Sequence, residues 1–299
     1  MSRAVLCFAL LFAGTVFAEE RIVLKQAPKG VFVGESWRYR SSNLLGDLLV
    51  RTAADLVAIP SGMPWWGAGE WTAFTAVVGS TVGLSVGRPS LDIAFHQLLQ
   101  EGFLSGNDFA IWGMTGDLVI WGLVGAATVG LLVGGLVKKN DRATQTAVLM
   151  IEAFAVAQLY HNVIKLLSGR AGPKRPELEG YYFGPSEGYK LWPEGTPSGH
   201  MASMYAMLSV LMYSIDHPAV WVGLNLFALC FGAALVGDDY HWVSDVILGG
   251  AMGFAVGRWV VRHRSSWYVY GEGEEPVTVS LVPMILPGSG GGVGLAGRF

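Results

Sequence analysis

The stretch PSGHMASMYAMLSVLMYSI, Pro197 to Ile215, places a proline, a serine, a glycine and a histidine directly ahead of an apolar run. Serine and glycine are favoured at the start of a helix, where a serine side chain can accept a hydrogen bond from one of the first backbone N–H groups. The pattern therefore predicts an apolar helix that begins here. Those N–H groups and the helix dipole attract an anion. The stretch is therefore either an ordinary helix start or the mouth of an anion site.

The composition indicates a membrane protein. Of the 299 residues, 52% are hydrophobic and 14% are charged, against roughly 25% charged residues in an average soluble domain. The formal net charge of -3 leaves no basic surface for nucleic acid, so a nucleic-acid partner is excluded.

Several segments of the chain are apolar enough to form membrane helices or the core of a helical bundle. About 20 residues cross the hydrocarbon of a bilayer, and the segments fit that length loosely. They span 70–87, 109–137, 145–165, 199–215, 217–237 and 241–261. The sequence therefore predicts an all-α bundle of about six helices, embedded in a membrane or associated with one.

The two ends of the chain differ from this bundle. Residues 1–18 have the basic start, apolar stretch and small-residue end of a secretory signal peptide, with an uncleaved anchor as the alternative. Residues 19–69 are interpreted as a periplasmic stretch that contains an amphipathic helix over 44–60, which Pro60, Gly62 and Pro64 end. The helical domain follows over 70–264. The tail 265–299 alternates like two strands around a glycine turn, which predicts a short C-terminal β-hairpin.

Basic residues orient the predicted bundle. They are Lys138, Lys139 and Arg142 after the second segment, and Arg258, Arg262, His263 and Arg264 after the sixth. The positive-inside tendency places both groups in the cytoplasm, so the long loop 166–198 and His241 share the opposite face. We therefore expect a protein of the bacterial cell envelope, in the inner membrane, with its site facing the periplasm.

The sequence HWVSD holds a histidine and an acid four residues apart, His241 and Asp245. On a helix they would share one face. A carboxylate bonded to one imidazole nitrogen fixes the tautomer and leaves the other nitrogen free to act as a nucleophile or a base. A buried histidine capped by a nearby acid is the alternative interpretation.

A basic loop precedes PSGH. In KLLSGRAGPKRPELEG, Lys165 closes a predicted helix and Arg170, Lys174 and Arg175 crowd a Gly/Pro-rich loop. Arginine binds phosphate oxygens in bidentate fashion and lysine acts as a point charge, so these cations beside a helix start predict a phosphate site. A juxtamembrane basic loop is the alternative, but the predicted periplasmic side argues against it.

The three patterns in this order, K-x-x-x-G-R, PSGH and a histidine with aspartate four residues later, resemble the type 2 phosphatidic acid phosphatase (PAP2) superfamily. Its relatives include bacterial acid phosphatases and vanadium haloperoxidases. The resemblance covers residues 145–261 and implies a PAP2/haloperoxidase-like helical fold. It also implies a metal-independent phosphatase that works through a phosphohistidine and needs no cofactor.

The resemblance assigns roles residue by residue. His241 would be the nucleophile, Asp245 the acid that orients it, and His200 the acid that protonates the leaving group. The phosphate-binding residues would be Lys165, Arg170, Arg175, Ser198 and Gly199.

Two departures mark a divergent member of that family. The first motif has an arginine seven residues after the lysine, where this chain has Gly172, so Arg170 or Arg175 would take its place. The third motif has Ser-Arg six to seven residues before the nucleophile, where this chain has Ala234 and Leu235. Each missing arginine removes a charge-assisted hydrogen bond to phosphate.

We expect a membrane phosphatase that hydrolyses a phosphate ester or pyrophosphate, with a lipid phosphate as substrate. The alternative is a PAP2-fold binding or scaffold protein of the envelope that has lost turnover, and haloperoxidase chemistry with vanadate is a third hypothesis. The sequence does not indicate an oligomeric state.

Other polar residues carry less weight. The histidines lack a recognisable zinc-ligand spacing, so no metal is expected. His161 is interpreted as a core histidine. Asp92 and His96 share a helical face, but no sequence pattern connects them to the site. Asp238 and Asp239 lie close to the predicted nucleophile.

Overall fold

The computed structural model of the protein describes residues 44–86, 90–100, 118–175, 183–185, 195–265, 278–286 and 290–298. The predicted signal segment and the polar stretch that follows it lie outside these residues. So does the first part of the predicted segment 109–137.

The described residues contain eight α-helices, and the all-α prediction is confirmed. In chain order they are α1 (Leu44–Gly62), α2 (Ala68–Ser85), α3 (Leu91–Leu98), α4 (Gly125–Lys138), α5 (Asp141–Ser168), α6 (Gly199–Ile215), α7 (Pro218–Gly237) and α8 (Val243–Arg264). A 3₁₀ turn, Met63–Trp65, follows α1, and a π-helical stretch, Val119–Val124, leads into α4. In the tail, strands β1 (Thr278–Leu286) and β2 (Gly290–Arg298) pair antiparallel, with Thr278 opposite Arg298.

Three of the helices, α5, α7 and α8, are long and apolar enough to cross a membrane. The apolar helix Gly122–Lys138 is shorter. Large apolar side chains are also exposed on other helices, for example Leu49 on α1 and Phe74 on α2. Apolar side chains on the outside of a bundle suit a lipid environment, so these exposed faces agree with membrane association.

Helix α6 lies at the centre of the bundle, between α5 and α8. Its side chains are small or apolar on every side, and such a helix is stable only where all of its faces are covered. Met201, Met204, Tyr205 and Met212 are accordingly buried.

A row of glycines on α8 brings its backbone against α6. A Cβ atom added at Gly249, Gly253 or Gly257 would lie between 2.2 and 2.4 Å from a backbone carbonyl oxygen of α6 or its cap. The carbonyl groups are those of Ser198, Ala202 and Ala206. Because a methyl group does not fit, the close crossing depends on glycine. It places the start of α8 beside the start of α6.

The two ends of the bundle have different chemistry. The starts of α6 and α8 meet the end of α5 at one end. At the other end, Arg142 of α5 donates a hydrogen bond to the carbonyl of Ser214 near the end of α6. The basic residues after α4 and at the end of α8 lie at this second end. The C-terminus of α4, the N-terminus of α5 and the C-terminus of α8 all lie there. PSGH and HWVSD therefore lie at the end of the bundle opposite these two groups of basic residues.

Helix α1 runs two residues past the predicted range 44–60 and ends at Gly62, one of the three residues expected to end it, with Pro60 inside the helix. Proline has no N–H to donate to the carbonyl four residues earlier, which belongs to Leu56. The hydroxyl of Tyr160 on α5 donates to that carbonyl at 2.8 Å. A partner from another helix thus satisfies the group that the proline leaves open.

The polar face of α1 points into the protein. Asp55 is buried and accepts a hydrogen bond from Arg264 Nη2 at 2.5 Å. Glu152 of α5 lies 3.6 Å from both Arg51 and Arg264. This buried ionic cluster fixes α1 to α5 and α8 and leaves apolar residues of α1 exposed.

Candidate active site

PSGH forms the start of α6, as the sequence predicts. Ser198 is buried, and its hydroxyl accepts the N–H of Met201 at 3.3 Å, which caps the helix. The N–H of Ser198 donates to the carbonyl of Asp245 at 3.0 Å. His200, in the first turn, is half-buried. The cap and the cross-link to α8 hold this turn of α6 in a fixed position.

His241 and Asp245 meet, but they do not share a helix as expected. Trp242 has extended dihedrals, φ -72° and ψ 159°, so α8 begins only at Val243. The carboxylate of Asp245 accepts the N–H of Trp242 at 3.1 Å and so caps its own helix. His241 Nδ1 lies 3.6 Å from Asp245 Oδ2 across this helix start. The contact depends on the cap and not on helical spacing.

The imidazole of His241 is buried. Burial lowers the pKa of His241 from 6.5 to about 4, against the opposing effect of the Asp245 carboxylate. The imidazole is therefore neutral near pH 7, which leaves a ring nitrogen able to attack an electrophile. Within the described residues Nδ1 forms no hydrogen bond, and Asp245 Oδ2 lies just beyond hydrogen-bond distance.

His200 faces His241. Their ring centres are 5.9 Å apart and their planes are inclined by 65°. The ring of Tyr240 also lies near His200, with 6.1 Å between the ring centres. Two imidazoles at this separation can contact the same substrate, one as the nucleophile and the other as the proton donor to the leaving group.

Lys165 and His161 extend the site along α5. Lys165 is buried, and its charge acts on both His161 and His241. A Cβ atom added at Gly199 would lie 2.5 Å from His161 Nε2, so the imidazole packs directly against PSGH. His161 is buried like a core histidine, but it lies at the site. Sequence reasoning missed this because it considered the helix alone.

Arg170 is almost completely buried, with 1% of its surface exposed. Its Nη1 donates to Asp245 Oδ1 at 2.9 Å, to Ser244 Oγ at 2.6 Å and to Thr196 Oγ1 at 3.3 Å. Its Nη2 donates to Asp92 Oδ2 at 2.8 Å. The guanidinium thus lies between two carboxylates, a placement that the sequence did not predict for an expected phosphate ligand.

Asp92 and His96 are connected to the site, which corrects the sequence interpretation. Asp92 is buried, and its Oδ1 accepts the N–H of Ser244 at 2.9 Å. His96 Nε2 lies 2.6 Å from Asp239 Oδ1. A periodic sequence pattern cannot predict contacts between residues as far apart in the chain as Asp92 and Ser244. The only sequence signal was that two polar side chains lie on one face of an apolar helix.

The remaining charged residues lie around the site. Lys174 is exposed, and its Nζ lies 3.3 Å from the centre of the Tyr240 ring. Burial raises the pKa of Asp238, as does neighbouring Asp239, while Lys174 opposes the shift. Arg175 is half-buried, and its backbone N–H donates to Gly172 at 3.1 Å. Within the described ranges no group of three or more His, Cys, Asp or Glu residues is arranged to hold a metal ion.

A comparison with protein-family models finds a match within the chain. Residues 146–267 match the family model described as PAP2 superfamily. No curated protein and no solved structure matches the chain. The matched region contains His200, His241 and Asp245, whereas Asp92 precedes it.

Proposed function

We propose that the protein is a membrane phosphatase that hydrolyses a phosphate ester or pyrophosphate of a lipid through a phosphohistidine, because residues 146–267 match the PAP2 superfamily model. The observation that carries the proposal is the pair of facing imidazoles, 5.9 Å apart, with a carboxylate behind one of them. The nearby charge of buried Lys165 suits an anionic substrate.

In the first step, His241 Nε2 attacks phosphorus. The N–P bond forms while the bond from phosphorus to the leaving oxygen breaks, and His200 gives that oxygen a proton. The imidazole of His241 gains positive charge as it is phosphorylated. Asp245 accepts the Nδ1–H bond and stabilises that charge.

In the second step, water attacks the phosphorus of the phosphohistidine. His200, now neutral, takes a proton from the water, the N–P bond breaks, and phosphate leaves. His241 returns to its neutral form and His200 to its protonated form, so the cycle closes without a metal or a cofactor.

The developing charge on the phosphoryl oxygens requires donors. We assign this role to Lys165 and to the backbone N–H of Gly199 at the start of α6, where the helix dipole adds to the attraction. Ser198 contributes by capping that turn. Arg175 stays the arginine predicted to bind the phosphoryl oxygens, because Arg170, the other predicted arginine, is paired with two carboxylates.

The location of the site supports a lipid substrate. The starts of α6 and α8 lie at one end of a bundle that contains three membrane-capable helices. A head group at the bilayer surface would reach this end without leaving the membrane. The basic residues after α4 and at the end of α8 lie at the other end, so by the positive-inside tendency the proposed location is the inner membrane with the site facing the periplasm.

The alternative function is a binding or scaffold protein built on a disabled site. Two observations favour it: Arg170 is paired with two carboxylates, and Ala234 and Leu235 occupy the positions of the family's third-motif Ser-Arg. The protein would then bind a lipid phosphate without hydrolysing it.

The test is phosphate release from a panel of lipid phosphates by the detergent-purified protein in the presence of EDTA. We expect release that is lost in His241→Ala and retained in His217→Ala, which changes an exposed histidine outside the site. Binding of the lipid without release, by a folded protein, would establish the alternative. Release that requires a divalent metal would contradict the proposed mechanism.

A further inference from the structure

Three buried charged side chains form a row behind His241. Asp92 of α3, Arg170 and Asp245 of α8 contact one another in that order, with distances of 2.8 Å and 2.9 Å. The side chains of all three are 0% exposed. Groups of this kind are stable inside a protein only when each is paired.

Both oxygens of Asp245 are held, one of them by the row. Oδ1 accepts hydrogen bonds from Arg170 and from the hydroxyl of Thr196. Oδ2 accepts the N–H of Trp242 and faces His241 Nδ1. With both oxygens held, the carboxylate cannot rotate away from the imidazole.

Arg170 is itself held from several sides. Asp92 binds its second terminal nitrogen, and the rings of Phe183 and Trp242 lie 5.4 Å and 5.8 Å from its guanidinium carbon. Its carbonyl oxygen would lie 2.1 Å from a Cβ atom added at Gly195, so its backbone is enclosed as well. The guanidinium is therefore fixed toward the carboxylates.

The formal charges of the row do not cancel. Two carboxylates and one guanidinium leave one formal negative charge, and the N–H and hydroxyl of Ser244 both donate to Asp92. Because Asp92 shares the guanidinium, Asp245 keeps more of its negative charge than it would in a simple pair with Arg170. That charge lies beside the ring that becomes positive during phosphoryl transfer.

We propose that Asp92 and Arg170 are positioning residues for the phosphatase reaction. They orient Asp245 toward His241 and maintain its negative charge, and Asp92 does so from a helix that precedes the matched family region. This inference rests on the proposed function, but its structural part concerns only His241 and its neighbours. The two can therefore be tested separately.

The main variant is Asp92→Asn, which keeps the shape of the side chain and removes its charge. The matched control is Asp55→Asn, because Asp55 is also buried and paired with an arginine, Arg264, but belongs to the cluster that holds α1. Ser244→Ala is a milder second variant, which removes one donor to Asp92 and one acceptor for Arg170.

Two measurements are made on each variant, below its unfolding temperature. The first is kcat and KM for the preferred lipid phosphate. We expect Asp92→Asn to lower kcat by about 10- to 100-fold with KM changed by less than about threefold, because the lost interaction acts on the transition state. Ser244→Ala should lower kcat less, and Asp55→Asn should leave it unchanged.

The second measurement is the ¹⁵N NMR spectrum of the histidines, of which the chain has six. The His241 signals are assigned from their loss in His241→Gln. We expect the Nδ1–H tautomer in the unmodified protein and a mixture of tautomers in Asp92→Asn, with no change in Asp55→Asn. A merely structural loss of stability would affect the two Asp→Asn variants alike.

The outcomes separate the inference from the proposed function. If Asp92→Asn and Asp55→Asn agree in both measurements, the positioning role is wrong even though the protein hydrolyses lipids. If no variant releases phosphate, the NMR measurement decides alone: a change specific to Asp92→Asn supports the positioning role, and an unchanged His241 overturns it. Where Asp92→Asn does not fold, Ser244→Ala is judged by the same criteria.

Discussion

His241 determines how the proposed reaction depends on pH. Burial holds its pKa at about 4, well below 6.5. The neutral, nucleophilic form therefore persists as the pH falls from 7, and we expect kcat/KM to decline only as the pH approaches about 4. A pH–rate profile measures this limit. An acidic limb near 6.5 would show that the imidazole is not buried during turnover.

The same shift predicts a pH dependence of stability. The folded state has the lower pKa, so between 6.5 and about 4 the unfolded chain takes up a proton that the folded protein does not. The stabilising contribution of neutral His241 is complete above this range and is lost as the pH falls through it. Unfolding midpoints of the protein and of His241→Gln should therefore converge toward the acidic end, and a constant difference would contradict the shift.

His200 has a role that depends on the leaving group. An alkyl phosphate needs a proton on its leaving oxygen, whereas p-nitrophenolate leaves without one. We therefore expect His200→Ala to slow formation of the phosphohistidine by about 10²- to 10⁴-fold with a lipid phosphate and much less with p-nitrophenyl phosphate. Rapid-quench measurement of the phosphoenzyme tests this, and equal losses with both substrates would remove His200 from the acid role.

At the scale of residues, the sequence anticipated which residues of short patterns lie together at the candidate site. His200 and Ser198 come from PSGH, and Asp245 from its spacing to His241. Asp92 was missed because its partner Ser244 is far away in the chain, and only the folded bundle brings them together. The environment of Arg170 was missed for the same reason, since a cation in a Gly/Pro-rich loop is typical of an exposed position.

Among the helices, the glycines of α8 make a direct prediction. At Gly253 a Cβ atom would lie 2.2 Å from the carbonyl oxygen of Ala202, so Gly253→Ala must push α8 away from α6. We expect a loss of about 1–3 kcal/mol in the free energy of unfolding, together with lower activity, because the two histidines are carried by these helix starts. Thermal unfolding in detergent measures the loss.

The matched control is Gly130→Ala on α4, where a Cβ atom would meet nothing within 4 Å. Alanine is the better helix former, so this variant should be neutral or more stable by roughly 0.5–1 kcal/mol. If both alanine variants behaved alike, the crossing of α6 and α8 would not be as close as the structure has it.

Helix boundaries were predictable where an apolar run coincides with the helix. The segment 199–215 corresponds to α6, and 217–237 corresponds closely to α7. Helix α5 begins at Asp141 instead of 145, because its first turn is polar and hides its start from an apolar pattern. The capping side chain of Asn140, which accepts the N–H of Ala143 at 3.1 Å, was the signal that could have located it.

For the whole molecule, orientation in the membrane is the main prediction. With Cys230 replaced by serine, we expect a cysteine introduced at Lys174 to react with a membrane-impermeant maleimide in intact cells. A cysteine at Lys139, at the other end of the bundle, should react only after the membrane is opened. The reverse pattern would place the site in the cytoplasm.

The helical fold class of the described residues before the tail was predictable from composition, because few charges and long apolar runs favour a bundle of apolar helices. The arrangement of the helices was harder to predict from the sequence. The segments that became α6 and α7 are similarly apolar, yet α6 is enclosed whereas Val222 and Leu226 of α7 are exposed. Small side chains along α6 favour the enclosed position, but which helices cover it depends on contacts across the whole chain.

The contact between Asp92 and Ser244 limits how this protein can be divided. A fragment cut to residues 146–267 would keep both histidines and Asp245, but Arg170 would face a single carboxylate and the N–H of Ser244 would lose its acceptor. Such a fragment is not a portable module. Grafting the family region onto another scaffold, or splitting the chain for fragment complementation, would succeed only if α3 were supplied with it.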